Sequence, residues 1–360
     1  MKIVVLCENS PSSPEFEAEH GLSFYVETPT RRFLFDFGAS SLFLRNAERL
    51  GVDVSTVDAA FLSHGHRDHG GGLAAFLEKN RVAPVYAAEK ALQSYYSLRP
   101  TGEYVDIGVR VAPELDARIV RTPTGGTLAL DADTILFSDA APDPPEYRSE
   151  GNATLFERFA ASEQTPESPR FARLSENSAS ARICQTVEKA QTADLAQNPN
   201  NAQIAESARL ADLAQNQKAA QTPNFARAFN ALQTAKAPKN AFFYRPDRFL
   251  HEQHLIATTE TGRKILFVGC AHRGIVSAMT RATEILGAAP DVAIGGFHLS
   301  IPSRGVPIPE ETLDAIAERL RAWPTRYLTG HCSGRVAFER ARRTLGDRIA
   351  YFAAGERFEF

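Results

Sequence analysis

The stretch AAFLSHGHRDHGGGL, residues 59–73, carries the strongest fold signal in the chain. It joins a short apolar strand pattern to a glycine-rich turn, after which a helical pattern begins. Three histidines and one aspartate lie within six positions of this turn, namely His64, His66, Asp68 and His69. Imidazole nitrogen and carboxylate oxygen are ligands of zinc, iron and manganese. Because glycines let the backbone curl around a small ion, the stretch predicts that His64 and His66 face one cation while Asp68 and His69 reach a second.

Short strand patterns alternate with helix patterns on both sides of this stretch. Apolar residues at helical spacing predict helices at Ser40–Leu50, Gly71–Lys79, Gly274–Leu286, Glu310–Trp323 and Arg335–Thr344. Runs rich in β-branched and aromatic residues between them predict strands. Mixed strands and helices in both halves predict an α/β sandwich with the sheets inside and the helices outside.

The middle of the chain, residues 160–240, has a different composition. Ala, Gln, Asn, Ser and Thr dominate it, and the hexapeptide ADLAQN occurs at Ala193–Asn198 and again at Ala211–Asn216. Such a segment cannot bury much core. We therefore expect a single domain over residues 1–360 that contains a low-complexity insertion, with a surface helix near Ile204–Ala220 because alanine and glutamine favour helix.

Composition and charge exclude several classes of protein. Of the 360 residues, 43% are hydrophobic and 23% are charged, which is ordinary globular usage and excludes a disordered chain or a disulfide scaffold. No apolar run of about 18 residues predicts a membrane span, and the first residues are too short an apolar run for a signal peptide. The net charge of −3 predicts no nucleic-acid partner. Because the four cysteines show no paired spacing, we expect a reduced, cytoplasmic protein.

The run FLSHGHRDHGGGL resembles the His-x-His-x-Asp-His signature of the metallo-β-lactamase superfamily. The resemblance implies an αββα sandwich with two central mixed β-sheets. It also implies a site for two divalent metal ions, with Zn²⁺ expected ahead of Mn²⁺ or Fe²⁺. Asp36, in the run Phe33–Gly38, resembles the superfamily's strand-end aspartate that supports the metal-binding loop. Asp36 and Asp68 are therefore the catalytic candidates.

The order of motifs in the superfamily implies where the remaining metal ligands lie. His251 precedes a predicted strand pair, and Cys270 follows it at a position where many members carry aspartate. His331 follows a later strand and resembles the final histidine ligand. His272 is an alternative donor to Cys270, and the choice between them stays open at this point. The metal-ligand candidates are His64, His66, Asp68, His69, His251, Cys270, His272 and His331.

Four shorter runs resemble one branch of the superfamily, typified by an archaeal dihydropterin–ribofuranosylaminobenzene-phosphate synthase. They are EHGLS (19–23), HEQHL (251–255), GCAHRGI (269–275) and GGFHL (295–299). Many bacterial relatives in that branch are described only as metal-dependent hydrolases. The resemblance covers about residues 1–155 and 240–360. It implies a small-molecule substrate of phosphorylated or pterin-like chemistry.

Three basic residues are candidates for substrate binding. Arg273 lies at the start of the helix predicted near Gly274, where free N–H groups and the positive end of the helix dipole suit an anion. His298 ends a predicted strand after two glycines, so it can orient a substrate or cap the strand. His20 lies in the first loop, where it can form part of a pocket wall or simply be exposed.

Together these features predict a dinuclear metal-dependent hydrolase. A metal-bridging hydroxide would attack an ester, lactone or phosphoester that carries an anionic group, and Asp68 would hold the second ion and accept a proton. One alternative is a transferase acting on a pterin and a ribofuranosylaminobenzene phosphate. A second is a di-iron oxidoreductase, since the fold also hosts such centres. A third is a metal-stabilised scaffold whose insertion binds a partner.

Overall fold

A computed structural model describes residues 1–28, 30–138, 140–160, 242–301 and 305–360. These residues belong to two compact units, which are described in turn. The first unit is Met1–Tyr95, Ile107–Asn152 and Arg248–Phe360, and the second is Tyr96–Asp106 and Ala153–Asp247. Apart from Ala160, the insertion predicted over 160–240 lies outside the described residues, as does the helix predicted near Ile204–Ala220. The single-domain organisation therefore stays a prediction.

The described residues form twenty strands and seven α-helices, numbered here in chain order. The strands are β1 (Lys2–Cys7), β2 (Ser23–Glu27), β3 (Arg32–Phe35), β4 (Ala59–Leu62), β5 (Val85–Ala88), β6 (Tyr95–Leu98), β7 (Tyr104–Asp106), β8 (Ile119–Thr122), β9 (Thr127–Ala129), β10 (Thr134–Phe137), β11 (Leu155–Ala160), β12 (Phe242–Pro246), β13 (His254–Thr258), β14 (Lys264–Val268), β15 (Val292–Gly295), β16 (Ser300–Ile301), β17 (Val306–Pro307), β18 (Arg326–Thr329), β19 (Ile349–Tyr351) and β20 (Arg357–Glu359). The helices are α1 (Leu42–Arg49), α2 (Arg67–Gly70), α3 (Leu73–Lys79), α4 (Pro113–Asp116), α5 (Ile275–Leu286), α6 (Glu310–Arg321) and α7 (Arg335–Leu345).

The first unit contains a seven-stranded sheet in the order β20-β1-β2-β3-β4-β5-β8. It is mixed, because β1, β2 and β3 pair antiparallel whereas β3, β4, β5 and β8 pair parallel. Helices α1 and α3 pack on its outer face, where Phe43, Phe76 and Leu77 join Leu34 and Leu62 in one buried cluster. Helical spacing places the apolar residues of each helix on one side, so that side packs against the sheet.

A second seven-stranded sheet of the same unit has the order β19-β18-β15-β14-β13-β10-β9. It is also mixed: β14, β15, β18 and β19 pair parallel, whereas β13 pairs antiparallel with both β10 and β14. Helices α5, α6 and α7 cover its outer face through a cluster that includes Met279, Leu313 and Phe338.

The inner faces of the two sheets share one apolar core. Phe24, Phe33 and Phe61 of the first sheet pack with Phe267 and Ile294 of the second, and all five side chains are buried. Edge-to-face ring contacts, such as Phe33 with Phe267 at 5.8 Å between centroids, fix how the side chains interdigitate. Helices, sheet, sheet and helices thus form four layers, which confirms the predicted αββα sandwich with two mixed sheets.

The second unit contains a small sheet in the order β12-β11-β6-β7, in which the β11–β12 and β6–β7 pairs are antiparallel. Tyr104 stacks on Tyr244 with ring centroids 4.3 Å apart, and Tyr96 meets the same ring edge-on at 5.0 Å. Charged residues and a proline interrupt the apolar runs of β11 and β12, so the sequence patterns did not predict this sheet.

The five helices predicted from sequence coincide with α1, α3, α5, α6 and α7, whereas the four-residue helices α2 and α4 were not predicted. Among the described residues, no helix combines the length and the apolar character that crossing a membrane requires.

Candidate metal centre

The candidate ligands follow directly after the carboxyl ends of strands in both central sheets. His64 and His66 follow β4, Cys270 and His272 follow β14, and His331 follows β18. Because β14 and β18 both run parallel to β15 between them, their carboxyl ends meet at one edge of the sheet. Side chains at such an edge converge, which is why ligand sites of α/β proteins lie there.

Three imidazoles form the first cluster, which we call group one: His64, His66 and His272. Their ligand atoms lie within 4.8 Å of one another, and all three side chains are buried. The Nε2 atoms of His64 and His272 are 3.2 Å apart. Group one therefore unites the loop after β4 with the loop after β14.

A second cluster, group two, contains one carboxylate, two imidazoles and one thiol: Asp68, His69, Cys270 and His331. His69 Nε2 lies 3.1 Å from Cys270 Sγ and 3.1 Å from His331 Nε2. His331 Nε2 lies 3.3 Å from Asp68 Oδ2. Both Cys270 and His272, between which the sequence left a choice, are thus placed with other ligands, one in each group.

The spacing within both groups fits a transition-metal ion. Zinc–nitrogen bonds of 2.0–2.1 Å in a tetrahedron give nitrogen–nitrogen edges of about 3.3 Å. The 3.2 Å and 3.1 Å separations between Nε2 atoms are close to this edge. Two unprotonated nitrogens so close together would repel each other through their lone pairs, whereas a cation between them is coordinated by both.

Asp36 sets the proton positions of two ligand imidazoles without entering either group. Its Oδ2 lies 2.6 Å from His69 Nδ1 and accepts the hydroxyl proton of Ser63 at 2.7 Å. Because that hydroxyl has donated its one proton, Ser63 Oγ accepts from His64 Nδ1 at 2.9 Å. His64 and His69 therefore direct Nε2 at the other ligand atoms of groups one and two. Asp36 is fully buried and orients ligands, so it is a positioning residue and not the catalytic group that the sequence suggested.

Two asparagines orient the other imidazoles, and the sequence analysis missed both. Asn152 Oδ1 lies 2.9 Å from His272 Nδ1, and Asn9 Oδ1 lies 2.9 Å from His331 Nδ1. An amide oxygen can only accept, so each imidazole donates from Nδ1 and presents Nε2 to its group. Asn152 and His272 are 120 positions apart in the chain, so no local pattern could have linked them.

Two buried glutamates hold the backbone of the ligand loops. Glu252 Oε1 accepts the His272 N–H at 2.7 Å, and Glu8 Oε1 accepts the His331 N–H at 2.7 Å. His331 and Ala271 have φ values of 52°, a left-handed conformation that is costly for residues other than glycine. The hydrogen bonds that the glutamates accept help to maintain this conformation.

His251, predicted to be a metal ligand, lies beside group one. Its Nδ1 accepts the backbone N–H of Gly65 at 2.9 Å. A neutral imidazole that accepts at Nδ1 carries its proton on Nε2. A ligand atom of His251 also lies within 4.8 Å of one of His66, so metal coordination by His251 stays a prediction. The hydrogen bond fixes Gly65 between His64 and His66, and His272 supplies the third imidazole of group one.

The two groups differ in electrostatics. Burial lowers the pKa of His64 and His272 well below the usual value, with neighbouring histidines adding to the effect. Burial also lowers the pKa of His69, but the charges of Asp36 and Asp68 outweigh it and raise that pKa to about 9. Burial raises the pKa of Asp68, yet the charge of His69 and hydrogen bonds from histidines hold it well below its ordinary value. Asp68 is therefore ionised at neutral pH.

The amino end of α5 does not offer the free N–H groups predicted for a substrate anion. Glu252 Oε2 accepts the Arg273 N–H at 3.0 Å, and Asp143 Oδ1 accepts the Ser277 N–H at 2.7 Å. Gly274, at φ 112°, permits this close approach, because a Cβ there would lie 1.9 Å from the Asp143 carboxyl carbon. The protein's own carboxylates thus occupy the positive end of the helix dipole, and the prediction for this helix end is wrong.

A cavity of about 260 Å³ adjoins group two. His20 and His331 line it together with Asn9, Ser300 and Arg335. The His20 side chain is 51% exposed, and its Nε2 lies 3.3 Å from Asp68 Oδ2. Burial lowers the pKa of His20, but hydrogen bonding to Asp68 outweighs it and raises that pKa. His20 therefore has the position expected of a residue in the pocket wall.

His298 does not line this cavity. It is 2% exposed, and its ring lies 4.2 Å from the ring of His272. This position argues against the contact with substrate that the sequence analysis considered for His298.

The end of β14 and the loop after β4 approach each other closely at Gly269. A Cβ at this residue would lie 2.1 Å from Ser63 Oγ and 3.1 Å from His64 Nδ1. Only glycine lets the end of β14 pass the loop after β4 at this distance. Group one depends on this approach, because it takes ligands from both loops.

Comparisons of sequence match the first part of the chain to known proteins. The sequence model of the metallo-β-lactamase superfamily matches residues 17–142. An uncharacterised protein of Methanocaldococcus jannaschii is 32% identical over 150 residues, which are 41% of this chain and 56% of that protein. A 7,8-dihydropterin-6-methyl-4-(β-D-ribofuranosyl)-aminobenzene-5'-phosphate synthase of the same organism is 32% identical over 111 residues, 28% of this chain and 36% of that protein. The chain spans about half or less of these relatives.

A solved structure extends the likeness to the whole fold. The crystal structure of a metal-dependent hydrolase of the β-lactamase superfamily has a TM-score of 0.61 to this chain at 21% identity, covering 100% of this chain and 99% of that one. Residues 17–142 therefore match the metallo-β-lactamase superfamily in sequence, and the chain has the fold of that superfamily.

Proposed function

We propose that this protein is a dinuclear metal-dependent hydrolase of small esters, lactones or phosphoesters, with Zn²⁺ as the expected metal and Mn²⁺ or Fe²⁺ as alternatives. The observation that carries the proposal is the adjacency of groups one and two, both built from ligand atoms within 4.8 Å of one another, to a cavity of about 260 Å³. A pair of divalent cations in such groups supplies Lewis acidity that activates water and polarises a substrate oxygen.

The side chains provide a route for a proton. Asp68 is 22% exposed and ionised, so its Oδ2 can accept a proton from an attacking water. His20 Nε2, 3.3 Å from that oxygen, can pass the proton to solvent because half of its side chain is exposed. His331 Nε2 also lies 3.3 Å from Asp68 Oδ2, so a cation bound by group two would be held by both atoms.

The cavity favours a small anionic substrate. Arg335 adds a positive charge to the wall, and Ser300 and Asn9 add polar groups that can fix an orientation. The volume is at the low end for a small-molecule site, where about 300 Å³ is common. A phosphorylated or pterin-like compound is the substrate class that we propose.

A transferase is the second candidate. It is favoured by the similarity to the aminobenzene-phosphate synthase of M. jannaschii, which is limited to 111 residues. The ligand arrangement suits either reaction, since water and a substrate nucleophile can attack from the same position.

The test combines metal content with activity. The protein is loaded with zinc, manganese or iron, and each form is assayed on p-nitrophenyl phosphate, p-nitrophenyl acetate, a γ-lactone and the pterin–aminobenzene pair. We expect about two metal ions in groups one and two and hydrolysis of at least one ester or lactone class. His64→Ala and Asp68→Ala should each lower both metal content and kcat/KM, the latter by at least about 100-fold.

His254→Gln is the matched control, because His254 is buried in β13 outside both groups. It should retain the metal. Hydrolysis unaffected by His64→Ala would overturn the hydrolase proposal. Product formation only from the pterin pair would select the transferase, and a coloured iron-loaded form active only in redox assays would select the di-iron alternative.

A further inference from the structure

A third cluster of metal-ligating side chains lies beside group two. It contains Cys270, His298 and Cys332, whose ligand atoms all lie within 4.8 Å of one another. Each of the three residues is 2% exposed. We call this cluster the thiol–imidazole group. It shares Cys270 with group two but adds two residues that the proposed hydrolysis does not use.

The topology of the second sheet builds this group. Strands β14, β15 and β18 are parallel neighbours, and Val268, Gly295 and Thr329 are paired across them at their carboxyl ends. Cys270, His298 and Cys332 each follow two or three residues beyond those paired positions. Three successive loops of one sheet edge therefore deliver one ligand each, which is how metal sites of α/β folds are assembled.

Gly296 makes room for the second thiol. A Cβ at this position would lie 2.5 Å from Cys332 Sγ, inside van der Waals contact. Cys332 Sγ also lies 3.8 Å from the carbonyl oxygen of Cys270. The loops after β14, β15 and β18 are thus packed directly around the two sulfur atoms.

His298 has no hydrogen-bond partner for either ring nitrogen among the described residues, although it is almost fully buried. A buried polar group without a partner is destabilising. The residue also has a φ of 50°, and its carbonyl oxygen accepts from Ser149 Oγ at 2.6 Å. The fold therefore holds an imidazole in a costly conformation next to two thiols, which a bound cation would explain.

We propose that Cys270, His298 and Cys332 bind an additional zinc-class cation, with Cys270 bridging to group two. Two thiolates and one imidazole form a donor set typical of zinc and softer cations. Sulfur–sulfur and sulfur–nitrogen edges of about 3.4–3.8 Å in a tetrahedral zinc site fall within the 4.8 Å spread of this group. The site is additional to the two cations of the proposed hydrolase and does not depend on that activity.

The test counts zinc in the full-length protein. Wild type is saturated with zinc under reducing conditions, freed of excess metal and analysed by plasma mass spectrometry. We expect about three zinc ions per chain in wild type and about two in Cys332→Ala and His298→Ala. Cys7→Ser is the control, because Cys7 is buried in β1 and is in none of these metal-ligand clusters. It should retain about three.

A second measurement on wild type alone covers the case in which the variants fail to fold. X-ray absorption at the zinc edge should show about one sulfur ligand per zinc when Cys270 bridges and Cys332 is bound, against about half a sulfur per zinc for groups one and two alone. Two zinc ions in wild type, or half a sulfur per zinc, would overturn the proposal. Either result would leave the hydrolase proposal standing.

Discussion

Groups one and two take ligands from the same loop after β4, yet they differ in charge. Group one consists of three imidazoles, whereas group two also contains the carboxylate of Asp68 and the thiol of Cys270. The polar neighbours differ in the same way. His272 of group one faces the neutral amide of Asn152, whereas His69 of group two faces the buried carboxylate of Asp36. One short motif therefore contributes to two candidate ligand groups that differ in charge.

The difference also determines the protonation states before a metal binds. Burial lowers the pKa of His64 and His272 well below the usual value, so these imidazoles are already neutral near pH 7. In group two the pKa of His69 is raised to about 9, and burial raises that of Cys270 well above its usual value. A cation must displace protons from group two but not from His64 and His272.

The largest expected effect comes from removing the charge of group two. Asp68→Asn keeps the shape of the side chain but removes the negative charge that would balance a bound cation. We expect the zinc affinity of group two to fall by more than about 100-fold, with group one retaining its metal. Competition titration with a chromophoric chelator measures both.

His64→Ala is the reciprocal variant, because it should empty group one and leave group two bound. Equal loss from both groups in each variant would show that the two positions bind as one unit, and the comparison between them would no longer hold.

A smaller effect should follow from changing the residues that orient the imidazoles. Asp36→Asn removes a charged acceptor from His69, and we expect a 10- to 100-fold loss of zinc affinity at group two. Asn152→Ala removes only a neutral acceptor from His272, so the loss at group one should be closer to about 10-fold. Zinc titration of both variants at one pH compares the two losses of affinity. A larger loss in Asn152→Ala than in Asp36→Asn would contradict this prediction.

The pH dependence of zinc affinity should also separate the groups. Because raised pKa values mean that His69 and Cys270 keep their protons at neutral pH, zinc affinity of group two should be lowest in acid and increase with pH until it levels off above the pKa of each group. For each proton that zinc displaces, the zinc affinity should rise about tenfold per pH unit. Zinc affinity of group one should change little over the same range.

Calorimetry in buffers of different ionisation enthalpy counts the released protons directly. Zinc binding to the Asp36→Asn variant should release about one proton fewer than binding to wild type, because the charge that raises the pKa of His69 is gone. A pH-independent affinity at group two would contradict this assignment.

The smallest effect concerns stability where α5 begins, at Ile275, three residues after His272 of group one. Burial raises the pKa of Asp143 from 3.8 to about 6. The folded state thus favours the protonated form, so this contribution to stability is complete below pH 3.8 and is lost as the pH rises through 6. Asp143→Asn removes this pH dependence of stability but keeps an oxygen that can accept the Ser277 N–H.

Relative to wild type, the metal-free Asp143→Asn variant should gain on the order of 2 kcal/mol in unfolding free energy between pH 4 and pH 7. Urea unfolding of both proteins in the presence of a chelator measures this difference. A difference that is constant with pH would show that Asp143 is ionised throughout the range.

Sequence patterns predicted the five longer helices and most strands of the two large sheets, because burial of one face leaves a periodic trace. They did not predict the four-stranded sheet of the second unit, whose strands β6, β7, β11 and β12 have three to six residues each. Glu157 and Arg158 in β11 and Pro246 in β12 interrupt the apolar runs of these strands, so their pattern does not indicate a buried strand.

The sequence by itself determined the ligands that one loop supplies. His64, His66, Asp68 and His69 lie within six positions, so local geometry alone brings them together. The fold class followed as well, because the apolar patterns of strands and helices are local features.

Only the tertiary structure decided how the distant candidates Cys270, His272 and His331 are divided between the two groups. The parallel order of β14, β15 and β18 places Cys270 and His331 in group two, and it moves His272 rather than His251 into group one. The buried hydrogen bond that the His331 N–H donates to Glu8 Oε1 joins residues 323 positions apart. Such contacts depend on strand order and register, which a single sequence does not encode in any local pattern.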